Sequence, residues 1–109
     1  MSVDQTDKVD FVWKDEEGGR VMLTITDHLA WKKKDEDEHL ALLQDKLNTY
    51  LYFFESGQLW KTKPEYKGLP VVIHVRAKYR LSKEAEKFYK AAEKGVAEAG
   101  ASLEFDHAP

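Results

Sequence analysis

Asp27-His28-Leu29-Ala30-Trp31 is the stretch of this chain best furnished for chemistry. An imidazole beside a carboxylate is suited to moving protons near neutral pH, and a nearby tryptophan can wall a small pocket. The pentapeptide leaves a strand-like run at its carboxyl end, which is where open sheets with helical crossovers bind ligands. Tyr79-Arg80 and Asp106-His107 follow two further strand-like runs and reach the same edge if those strands are parallel. Asp27, His28, Trp31 and Tyr79 are therefore the candidate ligand-binding residues, in keeping with a small-molecule binding protein or a minor hydrolase. A structural use of the same residues is the stronger reading: Asp27 caps the turn, His28 bonds Asp27 or a backbone group, and Trp31 plugs the end of the core. No nucleophile, base and orienting group can be picked out together, so no catalytic residue is assigned.

Other chemistries find less support. A metal centre would need several of His28, His39, His74 and His107 to converge with acids, yet none falls at ligand spacing such as His-x-x-x-His, and the chain has no cysteine. No metal and no other cofactor is expected. Lys32-Lys33-Lys34 precedes Asp35-Glu36-Asp37-Glu38, and adjacent blocks of opposite charge cancel beyond a Debye length. Trp60 to Lys67 interleaves aromatics with lysines and, with His74, Arg76 and Lys78, makes a potential basic strip. Binding single strands on a sheet requires exposed aromatic platforms, however, and Phe11, Trp13, Tyr79 and Phe105 all take the buried parity in this reading. With a net charge of −3, neither nucleic acid nor membrane is an expected partner.

The elements that must hold these residues follow from periodicity. Val9, Phe11 and Trp13 alternate with Asp10, Val12 and Lys14; Val21, Leu23 and Ile25 with Met22, Thr24 and Thr26; Val71, Ile73, Val75, Ala77 and Tyr79 with Val72, His74, Arg76 and Lys78; and Leu103 and Phe105 with Glu104 and Asp106. Asp15 to Gly19 reads as a five-residue hairpin loop that sets Lys14 opposite Arg20, Trp13 opposite Val21 and Val12 opposite Met22. A helix is expected from Asp35 to Ser56, with Leu40, Leu43, Leu47, Tyr50 or Leu51, and Phe54 inward and Gly57 as its left-handed terminator. Gln58 to Leu69 reads as a loop. A second helix is expected from the Ser82 cap to Ala99, with Ala85, Phe88, Tyr89, Ala92 and Val96 inward. Helix-linked strands favour right-handed parallel crossovers. The fold class is α+β: a two-layer sandwich in ββαβαβ order, with a mixed four-stranded sheet and two helices on one face. Residues 1–8 are expected to be a flexible N-terminus and 9–107 a single domain.

Such a fold leaves one sheet face open. Val12, Met22 and Val72 share that face in this register, beside His74, and are the candidate residues of a small self-complementary interface. The first eight residues are polar and acidic, so no secretory signal is expected, and no apolar run reaches membrane-spanning length. The absence of cysteine fits a reducing compartment, and a cytoplasmic location is expected.

Trp13 to Gly19, Ile25 to Trp31, His39 to Gln44 and Glu55 to Gln58 together resemble a family of small uncharacterised bacterial proteins, a domain of unknown function. The resemblance spans Val9 to Phe105 and implies a bacterial single-domain α/β protein. It carries no activity and no catalytic residues, and Lys32 to Lys34 depart from its pattern. The leading functional expectation is a non-enzymatic cytoplasmic protein-interaction domain that forms a homodimer through its open sheet face. The alternative is the small-molecule site at the carboxyl edge, and the two are separated by whether that edge is a concave pocket or a filled plug.

Overall fold

A computed structural model of the chain describes Thr6, Val9 and residues 11–108. Apart from Thr6, the N-terminal segment expected to be flexible lies outside the described residues. The chain runs β1 (Phe11–Asp15), β2 (Arg20–Asp27), α1 (Glu36–Glu55), α2 (Gln58–Thr62), β3 (Val71–Ala77), α3 (Lys83–Glu98) and β4 (Ser102–His107), with single 3-10 turns at Lys33–Asp35 and Pro64–Tyr66. The strands form one sheet in the order β1-β2-β3-β4. β1 and β2 are antiparallel, and β2–β3 and β3–β4 are parallel, as the helical crossovers require. The α+β architecture thus follows the sequence pattern, with the strongly β-branched β3 inside the sheet. The segment expected to be a loop after Gly57 contains α2, because Leu59 is fully buried and Trp60 packs edge-on to Phe54.

The core lies on the helix-covered face, where Val21, Leu23, Ile25, Val71, Ile73 and Val75 meet Leu43, Leu47 and Tyr50 of α1 and Tyr89 and Val96 of α3. Gly57 ends α1 at φ 84°, which only a residue without a Cβ adopts freely. Ser82 caps α3 by accepting from the Ala85 amide at 3.1 Å. The inward stripe of α1 is rotated from the expected one: His39 and Lys46 are buried with Leu43, Leu47 and Tyr50, while Leu40 is half-buried. The hydroxyl of Tyr50 donates to the Thr24 carbonyl at 2.7 Å, pinning the helix to the sheet.

The register of β1 differs by one residue from the sequence reading. Asp15 pairs with Arg20, Lys14 with Val21, Trp13 with Met22 and Val12 with Leu23. A one-residue slip exchanges faces, so Val12 turns to the helix side and packs against the core. Phe11 and Trp13, expected in the core, stand on the open face at 53% and 43% exposure. Side-chain bonds explain the choice. Arg20 donates to Asp15 at 2.9 Å and to Glu104 at 2.6 Å, spanning the sheet from β1 to β4. Trp13 Nε1 donates to Thr24 Oγ1 at 2.8 Å; the Thr24 hydroxyl is then free to donate to His74 Nδ1 at 3.2 Å, and His74 Nε2 lies 3.4 Å from Asp106. Met22 and Val72 share the open face, but among these groups each is only 3% exposed, so Val12, Met22 and Val72 do not form an exposed apolar patch. Nor are the other aromatics of buried parity all in the core: Phe105 packs on it, against Tyr89, while Tyr79 lies beyond the end of β3 and is 41% exposed.

Candidate functional site

β2 ends at Asp27, and the chain then turns sharply enough for the Leu29 amide to donate back to Asp27 Oδ1 at 3.1 Å. That turn leads through Trp31 to the first turn of α1, whose pitch carries His39 inward one turn ahead of Leu43. The Asp27 carboxylate is 1% exposed, and His39 is 2% exposed. His39 Nε2 lies 2.8 Å and 2.7 Å from the two carboxylate oxygens. An ionised carboxylate only accepts, so Nε2 carries the proton, and in the uncharged ring Nδ1 is left as an acceptor. The indole of Trp31 stacks on this imidazole with ring centroids 3.5 Å apart and planes at 15°.

Beside the pair lies a cavity of about 470 Å³. The loop after β2 lines it with His28, Leu29, Ala30 and Lys32. The start of α1 and its preceding turn supply Asp35, Glu38, His39 and Leu42, and Tyr79 closes it from the loop after β3. Among the described residues, the buried side-chain atoms without a hydrogen-bond partner are His28 Nδ1, Trp31 Nε1, His39 Nδ1 and the Tyr89 hydroxyl. Three of the four belong to the walls of this edge or the stack behind it. Tyr89 is tied to the same place electrostatically: burial first, and the charge of Asp27 second, raise its phenol far above the ordinary value and keep it a neutral donor. Buried polar groups without partners are uncommon, and here they concentrate at one edge.

Of the residues singled out from sequence, His28 and Tyr79 line the cavity, while Asp27 and Trp31 stand behind it around His39. The expected Asp27–His28 pairing does not form; the partner of Asp27 is His39, and His28 retains a buried ring nitrogen without a partner. His39 has no metal-ligand spacing in the sequence, yet residues 39, 43, 47 and 50 share one helical face, a signal that places the imidazole inward. Asp106-His107 does reach the same edge, where His107 Nε2 lies 3.2 Å from the Lys78 carbonyl. No group of three or more His, Asp or Glu side chains among the described residues is arranged to hold a metal ion. No helix among them is long and apolar enough to cross a membrane. The cavity lining holds no serine, threonine or cysteine to act as a nucleophile.

The model of a family described as "Family of unknown function (DUF6572)" matches residues 1–109, and the chain belongs to that family. No curated protein and no solved structure matches it.

Proposed function

We propose that this member of a family of unknown function is a small-molecule binding protein whose site is the cavity at the carboxyl edge of β2 and β3. One observation carries the reading: the edge is concave rather than plugged, and partnerless buried ring nitrogens gather around it. Its volume falls within the roughly 300–1,000 Å³ of small-ligand sites. Asp27 and Trp31 fix the His39 ring, so that this wall of the cavity is preorganised and the ordering cost of binding is reduced. Binding without turnover is the activity we assign, in the bacterial setting that the family resemblance implies and the cytoplasm that a cysteine-free composition fits.

The test is a thermal-shift screen of the full chain against a library of polar metabolites. A ligand at a hundred times its Kd contributes about 2.7 kcal/mol to native-state stability, and about 4–8 °C per kcal/mol in a domain of this size gives a rise of roughly 10–20 °C. Ala30→Trp, which places an indole in the cavity, should retain a cooperative transition and lose the rise. A rise unaffected by Ala30→Trp would place the ligand elsewhere, and no rise with any compound would overturn the reading.

A second reading rests on the open sheet face. Phe11 and Trp13 are large, exposed and two residues apart on one edge strand, and exposed aromatics of this kind are favoured at protein contacts. We propose this surface, with His74 behind it, as the one that meets a second copy. Sedimentation should show a dimer that Phe11→Ser with Trp13→Ser converts to a folded monomer. A monomer at every accessible concentration sinks this reading.

A further inference from the structure

We infer that the ligand of the carboxyl-edge cavity is a small zwitterion, a free α-amino acid with an apolar side chain; this rests on the cavity being a ligand site. The lining carries both signs of charge: Lys32 on one side, Asp35 and Glu38 on the start of the helix. None of the three forms an ion pair among the described residues, with one another or with any other group. An acidic cluster alone would say little. Here it sits in the same wall as His39, almost fully buried and with Nδ1 lacking a partner, and as His28, whose Nδ1 is likewise unmatched.

A ligand with one net charge is poorly served by such a wall. A phosphate or simple carboxylate would meet Lys32 but oppose Asp35 and Glu38; a simple amine would satisfy the acids and oppose Lys32. A zwitterion matches both at once and brings no net charge out of water, which reduces the desolvation that makes buried charges costly. Its ammonium donates to Asp35 and Glu38, and its carboxylate accepts from Lys32. The remaining wall is apolar, formed by Leu29, Ala30 and Leu42. It suits an aliphatic or aromatic side chain.

Isothermal titration of the full chain with L-leucine and L-phenylalanine tests the assignment, set against 4-methylpentanoate, which lacks the ammonium, and 3-methylbutylamine, which lacks the carboxylate. At least one amino acid should bind ten times or more tightly than either half-analogue. Glu38→Gln and Lys32→Gln, both at exposed positions, should each weaken it by ten times or more with the melting temperature of the free protein unchanged. Equal binding of a half-analogue, indifference to both variants, or no binding of either amino acid overturns the zwitterion. If another metabolite then gives an Ala30→Trp-sensitive thermal shift, the cavity reading survives without it; if none does, both fall.

Discussion

Breaking the Asp27–His39 pair from one side should cost far more than removing it from both. In Asp27→Ala, His39 loses its acceptor while 2% exposed, and the Leu29 amide loses its turn partner. Leaving a buried neutral donor without its acceptor costs about 1–3 kcal/mol. His39→Phe keeps a ring to stack under Trp31 but strips the buried carboxylate of its main donor, leaving only Leu29; an uncompensated buried charge costs about 3–5 kcal/mol. With both substitutions the core edge becomes apolar, and replacing both partners is close to neutral apart from the lost turn bond. The double variant should therefore lie within about 2 kcal/mol of the parent, giving a coupling energy at or beyond the upper end of the roughly 0.5–3 kcal/mol range for contacting residues. Urea unfolding of the four proteins at neutral pH, followed by circular dichroism, measures the cycle. Additivity within about 0.5 kcal/mol, or single-variant costs below about 1 kcal/mol, would refute the idea that the two side chains stabilise each other in a closed site.

Three further outcomes follow from the fold. Trp13→Ala should cost only about 1–2 kcal/mol, one hydrogen bond to Thr24 and partial burial; a loss of 3 kcal/mol or more in chemical denaturation would put the indole back in the core. Gly57→Ala should cost about 1 kcal/mol through backbone strain alone, because a Cβ there meets open space; an unchanged midpoint would contradict the left-handed terminator. Arg20 beside Asp15, with help from the Gly18 amide, holds the Asp15 carboxyl below the ordinary range. The stability it adds is present above the unfolded-state pKa and lost as pH falls through the lower folded value. A carboxyl-carbon NMR titration should show that depressed value returning upward in Arg20→Gln, and no change would separate the two groups.

The alternation of β2, β3 and β4, the Ser82 cap and Gly57 were legible because each is a local matter: side chains on a pleated strand alternate, and a helix end needs a particular donor, acceptor or φ. The parallel pairing of β2, β3 and β4 followed from the helices between them, which leave little choice of hand. β1 was not legible in the same way. Its two faces read Phe11 and Trp13 against Val12 alone, so hydrophobicity favours burying the aromatics. The structure instead satisfies the Trp13 N–H at Thr24 and the Asp15 carboxylate at Arg20, and an edge strand tolerates large apolar groups on the face the helices leave uncovered.

The site divides along the same line. The sequence by itself determined that Asp27, His28 and Trp31 leave a strand at its carboxyl end and that Tyr79 follows another, which is enough to bring them to one edge once the strands run parallel. Only the tertiary structure decided that Asp27 bonds His39 rather than the adjacent His28. The reason is geometric: successive residues past a strand end point apart, whereas the packing of α1 on the sheet delivers a side chain twelve positions away to hydrogen-bonding distance. A contact of that kind is fixed by the angle and depth at which a helix lies on a sheet, and no spacing within one stretch of chain records either.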